Sequence, residues 1–106
     1  KRRLIIMVKH VILWKLKEEL TAEEKENVKA GIKEGLEGLA GKVPGLVDVK
    51  VNINGLPTST VDVMLDTTFT DADALKAYST NPLHVAVADG KVRPYTAVRS
   101  CLDYEV

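Results

Sequence analysis

The chain has 106 residues, with 15 Lys+Arg against 15 Asp+Glu and so no formal net charge. That length accommodates one small domain, and that balance excludes a strongly basic nucleic-acid binder and an acidic tail. Hydrophobic content of 45% is that of a globular chain, and the single cysteine, Cys101, excludes a disulfide framework and a cysteine-rich zinc site; one cysteine also fits a reducing, cytoplasmic setting.

Lys1-Arg2-Arg3 precedes an apolar run from Leu4 to Val8 that Lys9-His10 interrupts. The run is too short for a signal peptide or a membrane span, so no membrane association is expected. Residues 1–6 read as an N-terminal extension, with the strand pattern opening at Met7 and the domain covering residues 7–106. Over residues 7–17 the chain alternates: Val8, His10, Ile12, Trp14 and Leu16 share one face, and Lys9, Val11, Leu13 and Lys15 the other. A period of two rich in β-branched and aromatic residues predicts a strand.

Thr21-Ala22-Glu23-Glu24 has the capping-box pattern, so a helix is predicted from about residue 22. Val28, Ile32, Leu36 and Leu39 form its apolar stripe, and Gly31 and Gly35 beside it predict close packing of the helix on a sheet. Val43-Pro44-Gly45 ends the segment. Residues 46–53 alternate again, with Val47, Val49, Val51 and Ile53 expected inward, and Asn54-Gly55-Leu56-Pro57 marks a loop. A third strand is predicted over 60–69, with Val61, Val63, Leu65 and Phe69 inward and Asp62, Met64 and Asp66 outward. Thr70 to Asp73 cap a second helix anchored by Leu75 and Tyr78. Asn81-Pro82 restarts a helical turn, with Asn as cap and Pro at the first helical position, and Gly90 is expected to end it. In a last strand over 96–105, Val98, Ser100, Leu102 and Tyr104 are expected toward the helices, and Arg99, Cys101 and Asp103 away from them.

The order β-α-β-β-α-β is the split pattern of the ferredoxin-like α+β fold: a four-stranded antiparallel sheet with helices on one face. The opposite face collects balanced charges around Val11, Leu13, Met64, Ala97 and Cys101. An apolar centre inside a polar rim suits a homodimer formed through the sheet face.

The chemistry-bearing residues are few. His10 points to the helix-facing side of the first strand, while Tyr78 ends the second helix and His84 opens the turn after it. A Tyr hydroxyl and an imidazole converging on one pocket can hold a carbonyl or phenol oxygen, and the imidazole can act as a general base. That pocket would be floored by Ile12 and walled by Trp14 or Leu83. Phosphate-binding glycine loops and zinc-protease motifs are absent. The carboxylates are scattered and Cys101 reads as a small apolar strand residue, so neither metal nor cofactor is expected.

The stretch Met7-Val8-Lys9-His10-Val11-Ile12-Leu13-Trp14 resembles the opening strand of the stress-responsive A/B barrel (Dabb) family. The likeness continues through the Thr21 helix start, Pro44-Gly45 and Asp66-Thr67-Thr68-Phe69 to Tyr78-Ser79-Thr80-Asn81-Pro82-Leu83-His84, similar to that family's Tyr-x-x-[His/Asn]-Pro-x-His motif. The resemblance implies a ferredoxin-like homodimer whose two sheets face each other as a barrel. A plant polyketide cyclase of the family uses a His of this motif as base beside its Tyr. The resemblance therefore implies a catalytic role for His84 and Tyr78, and a ligand-binding role for His10. The cyclase has a further His on its third strand, where Val61 to Leu65 here have none. The expectation is accordingly a protein that binds a small apolar or carbonyl-containing ligand. A cofactor-independent lyase or cyclase is the alternative, and a monooxygenase-like barrel is disfavoured by the scarcity of aromatic residues.

Overall fold

The computed structural model describes residues 6–106; the proposed extension, Ile6 apart, lies outside them. Strand β1 (Val8–Leu16) is followed by helix α1 (Ala22–Glu37), strands β2 (Leu46–Asn52) and β3 (Val63–Phe69), helices α2 (Ala72–Thr80) and α3 (Pro82–Val87), and strand β4 (Thr96–Glu105). The strands form one antiparallel sheet in the order β2-β3-β1-β4, which places β1 and β3 at the centre. This is the expected ferredoxin-like α+β architecture. Among the described residues no helix is long and apolar enough to cross a membrane.

The core lies between the sheet and the helices. Ile12, Trp14 and Leu16 of β1 and Val63, Leu65 and Phe69 of β3 meet Ile32 and Leu36 of α1 and Tyr78 of α2, all buried. Burial of that kind stabilises by about 25 cal/mol per Å² of apolar surface. Both halves of the α1 capping box form: the Thr21 hydroxyl accepts from the Glu24 N–H, and the Glu24 carboxylate accepts from the Thr21 N–H. At Val51 the outer edge of β2 is covered by side chains. The Val51 N–H donates to Glu37 Oε2 (2.9 Å), while Lys33 Nζ donates both to that carboxylate (2.8 Å) and to the Val51 carbonyl (2.7 Å). Lys33 and this N–H hold the Glu37 carboxyl below its ordinary pKa. Satisfying an edge in this way blocks a further strand from adding there.

The structure departs from the sequence reading in four places. First, Val47 is 51% exposed rather than inward. The β2–β3 register shifts between Leu46 and Asp48; the extra residue of this bulge turns Val47 out and puts Leu46 in its place. Second, Gly35 packs against α3, not the sheet: a Cβ there would come within 2.8 Å of Val87 Cγ1. Third, Gly90 does not end the last helical segment. A π-helical turn runs on over Ala88–Val92, and Arg93–Tyr95 follow as a 3-10 turn around Pro94.

The fourth departure is the largest. In the β1–β4 register His10 lies opposite Asp103, Ile12 opposite Cys101 and Trp14 opposite Arg99. Directly paired residues share a face, so Arg99, Cys101 and Asp103 stand on the helix side. Val98, Leu102 and Tyr104 stand on the open face with Val11, Leu13 and Met64, and Leu102 is 65% exposed. A register shift beside Lys15 absorbs Ala97 and sets this phase. Cys101 therefore leaves the expected centre of the open face, and leucine and tyrosine side chains take its place.

Candidate functional site

Strands β1 and β4 and helices α2 and α3 converge on one cavity of about 170 Å³ between sheet and helices, lined by His10, Ile12, Trp14, Tyr78, His84, Arg93 and Arg99 among others. The central strand supplies His10, which is only 7% exposed. Thr67, opposite it on β3, donates its hydroxyl to the His10 carbonyl (2.6 Å), pinning the backbone under the ring. His10 Nδ1 lies 2.5 Å from Asp103 Oδ1. A carboxylate on one ring nitrogen fixes the orientation of the imidazole and leaves the other nitrogen for chemistry.

Tyr78 and His84 meet because the helix is broken between them. Six residues apart on one continuous helix they would stand about 120° apart around its axis. Asn81 is extended (φ −63°, ψ 127°), caps α3 by accepting the Leu83 N–H, and precedes Pro82 at the first helical position. The break resets the phase, and the two rings pack with centroids 4.0 Å apart. Tyr78 also packs against Phe69 (4.9 Å) and edge-on to His10 (6.1 Å).

The Tyr78 hydroxyl and His84 Nδ1 are buried without a hydrogen-bond partner among the described residues. Buried polar groups are nearly always satisfied, so two orphans on adjacent rings lining one cavity are unusual. Burial pushes the Tyr78 phenol up to about 12, so it stays a donor at neutral pH. Burial also lowers the His84 pKa; the Ser79 carbonyl acts the other way, and the charges of Arg93, His10 and Arg99 lower it further. At neutral pH His84 is an uncharged base.

Of the residues singled out by sequence, His10, Ile12, Trp14, Tyr78 and His84 line the cavity. Leu83 does not: it is 48% exposed, since turning His84 inward carries its neighbour on α3 about 100° toward solvent. Arg99 and Asp103 escaped the sequence reading because the phase of β4 was inverted. Both line a more open vestibule between α2 and β4 with His10, Leu75, Lys76 and Cys101, which adjoins the cavity through His10, Leu75, Ser79 and Arg99, common to the two.

The stress responsive A/B barrel domain family matches residues 8–106. A Bacteroides fragilis structure, described as a dimeric protein of unknown function with a ferredoxin-like fold, is 35% identical, with a TM-score of 0.88 over 94% of this chain and 96% of that one. A dimeric ferredoxin-like protein of unknown function from Thermobifida fusca is 20% identical, with a TM-score of 0.76 over 95% and 92% of the two chains. The hydroxynitrile lyase of Passiflora edulis is 15% identical, with a TM-score of 0.70 over 94% and 93%. No curated protein matches the sequence.

Proposed function

This chain belongs to the stress responsive A/B barrel domain family, and from that premise we propose that it binds a small carbonyl-containing compound in the cavity between sheet and helices. The observation that carries the reading is the pair of orphaned polar atoms. A ligand oxygen accepting from the Tyr78 hydroxyl satisfies one, and a ligand hydroxyl donating to His84 satisfies the other. Ile12 and Trp14 supply apolar contact, and Asp103 holds the His10 ring against the wall. At about 170 Å³ the cavity is small beside the ~300–1,000 Å³ of drug-sized sites. The occupant is a compact molecule, or the head of a longer one whose tail leaves through the vestibule.

The same groups support a second reading, a cofactor-independent lyase. The uncharged His84 takes a proton from a ligand hydroxyl or from carbon beside a carbonyl, and Tyr78 donates a hydrogen bond to the oxygen where charge develops. The similarity in fold to a hydroxynitrile lyase supports this only as far as the scaffold goes.

The protein acts as a homodimer, the state described for the relatives from B. fragilis and T. fusca, and the open sheet face is its interface. Val11, Leu13, Met64, Leu102 and Tyr104 surround an apolar hollow there, and the Lys9–Asp66 ion pair (2.6 Å) belongs to the rim.

Trp14 is the sole tryptophan and lines the cavity, so its fluorescence reports occupancy directly. Titration with a series of β-diketones and aryl aldehydes is expected to give a saturable change that Tyr78→Phe and His84→Ala weaken. Flat titrations into the millimolar range across the series would overturn the reading.

A further inference from the structure

Beside the cavity, three side chains of different chemistry come together on β1 and β4. His10 Nδ1 lies 2.5 Å from Asp103 Oδ1 and 3.7 Å from Cys101 Sγ, and the sulfur lies 3.4 Å from the same carboxylate oxygen. His10 is more than nine-tenths buried, while Cys101 and Asp103 are exposed. We propose that His10, Cys101 and Asp103 form a three-ligand site for a divalent transition-metal ion, best fitted by zinc, whose fourth position opens on the vestibule.

The distances favour this ion. Zinc binds nitrogen and oxygen at about 2.0–2.1 Å and sulfur at about 2.3 Å, so a tetrahedral ion sets N···S and O···S edges near 3.5 Å and an N···O edge near 3.3 Å. Both edges to sulfur already stand within about 0.2 Å of those values. The third edge is short because the nitrogen and the carboxylate hydrogen-bond each other. Opening it by about 0.8 Å needs only a rotation of the exposed Asp103 side chain. One thiolate, one imidazole and one carboxylate form a donor set that suits zinc or cobalt over magnesium or calcium, which prefer all-oxygen ligation. The ligands also have backbone support: Thr67 pins the strand at His10, and each of the other two is held in the β1–β4 ladder.

Charge and protons balance. The ion brings two positive charges, and the thiolate and carboxylate bring two negative ones. The occupied site is neutral, so Arg99 and Lys76 at the vestibule do not oppose it. The Cys101 thiol releases one proton on binding. The ion takes Nδ1 of His10, and the ring proton of the occupied site sits on Nε2. Because binding releases the thiol proton, affinity rises with pH. Occupancy converts the free nitrogen of His10 from an acceptor to a donor. The proposal goes beyond the small-molecule reading above, and the response of Trp14 to ketones does not bear on it.

Cobalt(II) is the probe. The full chain titrated with cobalt chloride under reducing conditions is expected to saturate at one ion per chain. It should show a near-ultraviolet thiolate-to-cobalt band and intense visible bands of a four-coordinate ion, both bleached by one equivalent of zinc. Cys101→Ser should lose the ultraviolet band, and Asp103→Asn should weaken cobalt binding at least tenfold. Circular dichroism melts check that both variants fold. No sulfur band in the wild type at excess cobalt, or a band that survives Cys101→Ser, overturns the site. So does an Asp103→Asn variant, folded, that binds cobalt as tightly as the wild type.

Discussion

Tyr78→Phe should make the protein more stable and a poorer binder at once. Tyr78 is 1% exposed, and its hydroxyl has no partner among the described residues. A buried unsatisfied donor costs about 1–3 kcal/mol. Removing the oxygen keeps the ring, and with it the packing on Phe69 at 4.9 Å and on His84 at 4.0 Å. Taking the lower end, a gain of about 1 kcal/mol raises the melting temperature of a domain this size by about 4–8 °C. A ligand that accepted from the hydroxyl loses a neutral hydrogen bond of about 0.5–1.5 kcal/mol, a roughly two- to twelvefold loss of affinity. The assay is a thermal melt of the ligand-free protein followed by a Trp14 fluorescence titration. A drop in Tm of similar size refutes the reasoning, because it would mean that the hydroxyl is a structural group satisfied in the native protein.

Three further outcomes follow from the geometry. Leu13→Asp, at the centre of the open face opposite Met64 and Ser100, should give monomer on a sizing column at micromolar concentration, while an unchanged elution volume argues against that interface. Gly35→Ala should lower Tm, since the new methyl meets Val87 Cγ1 at 2.8 Å, whereas Gly31→Ala, whose nearest contact is an ordinary 3.8 Å to Lys91, should raise it through a stability gain of ~1 kcal/mol from helix propensity; equal effects would show that α1 does not approach α3 as closely as described. His84 has a folded pKa below its unfolded value of about 6.5, so the unfolded chain binds the extra proton and stability falls as pH drops below about 6.5. Arg93, Arg99 and His10 face the same ring and oppose its protonation, and Tyr78 and the Ser79 carbonyl complete its surroundings; His84→Gln should flatten that acid limb in melts from pH 7.5 to 5, and an unchanged limb would place the titration elsewhere.

Strongly periodic elements were legible in the sequence. The β1 alternation, the Thr21 cap and the Asn81-Pro82 restart each depend on local chemistry, and each is found where expected. The motif residues Tyr78 and His84 were legible as a pair, although the helix break that stacks them was visible only as a cap. What failed was long-range phase. Val47 and Ala97 each sit where the register shifts; on β2 only Val47 is turned out, whereas on β4 the one extra residue reverses every assignment beyond it. On β4 the apolar residues made the wrong face look like the inner one, because an edge strand buries little on either side. Asp103, Cys101 and Arg99 were lost for that single reason, and with them the cluster of side chains around His10.

The last strand has two employments. Its odd-numbered residues, Arg99, Cys101 and Asp103, furnish the vestibule, and its even-numbered residues, Val98, Leu102 and Tyr104, furnish the face proposed for the partner. Lying at the edge of the sheet, it has a neighbouring strand on one side only. A second subunit seated on the even face restrains the strand that carries the odd one, so assembly and occupancy are thermodynamically linked. Dilution through the dimer dissociation range should then loosen whatever the vestibule holds, and a saturating ligand should shift that range to lower protein concentration by the square of the same factor, since each of the two subunits carries one site.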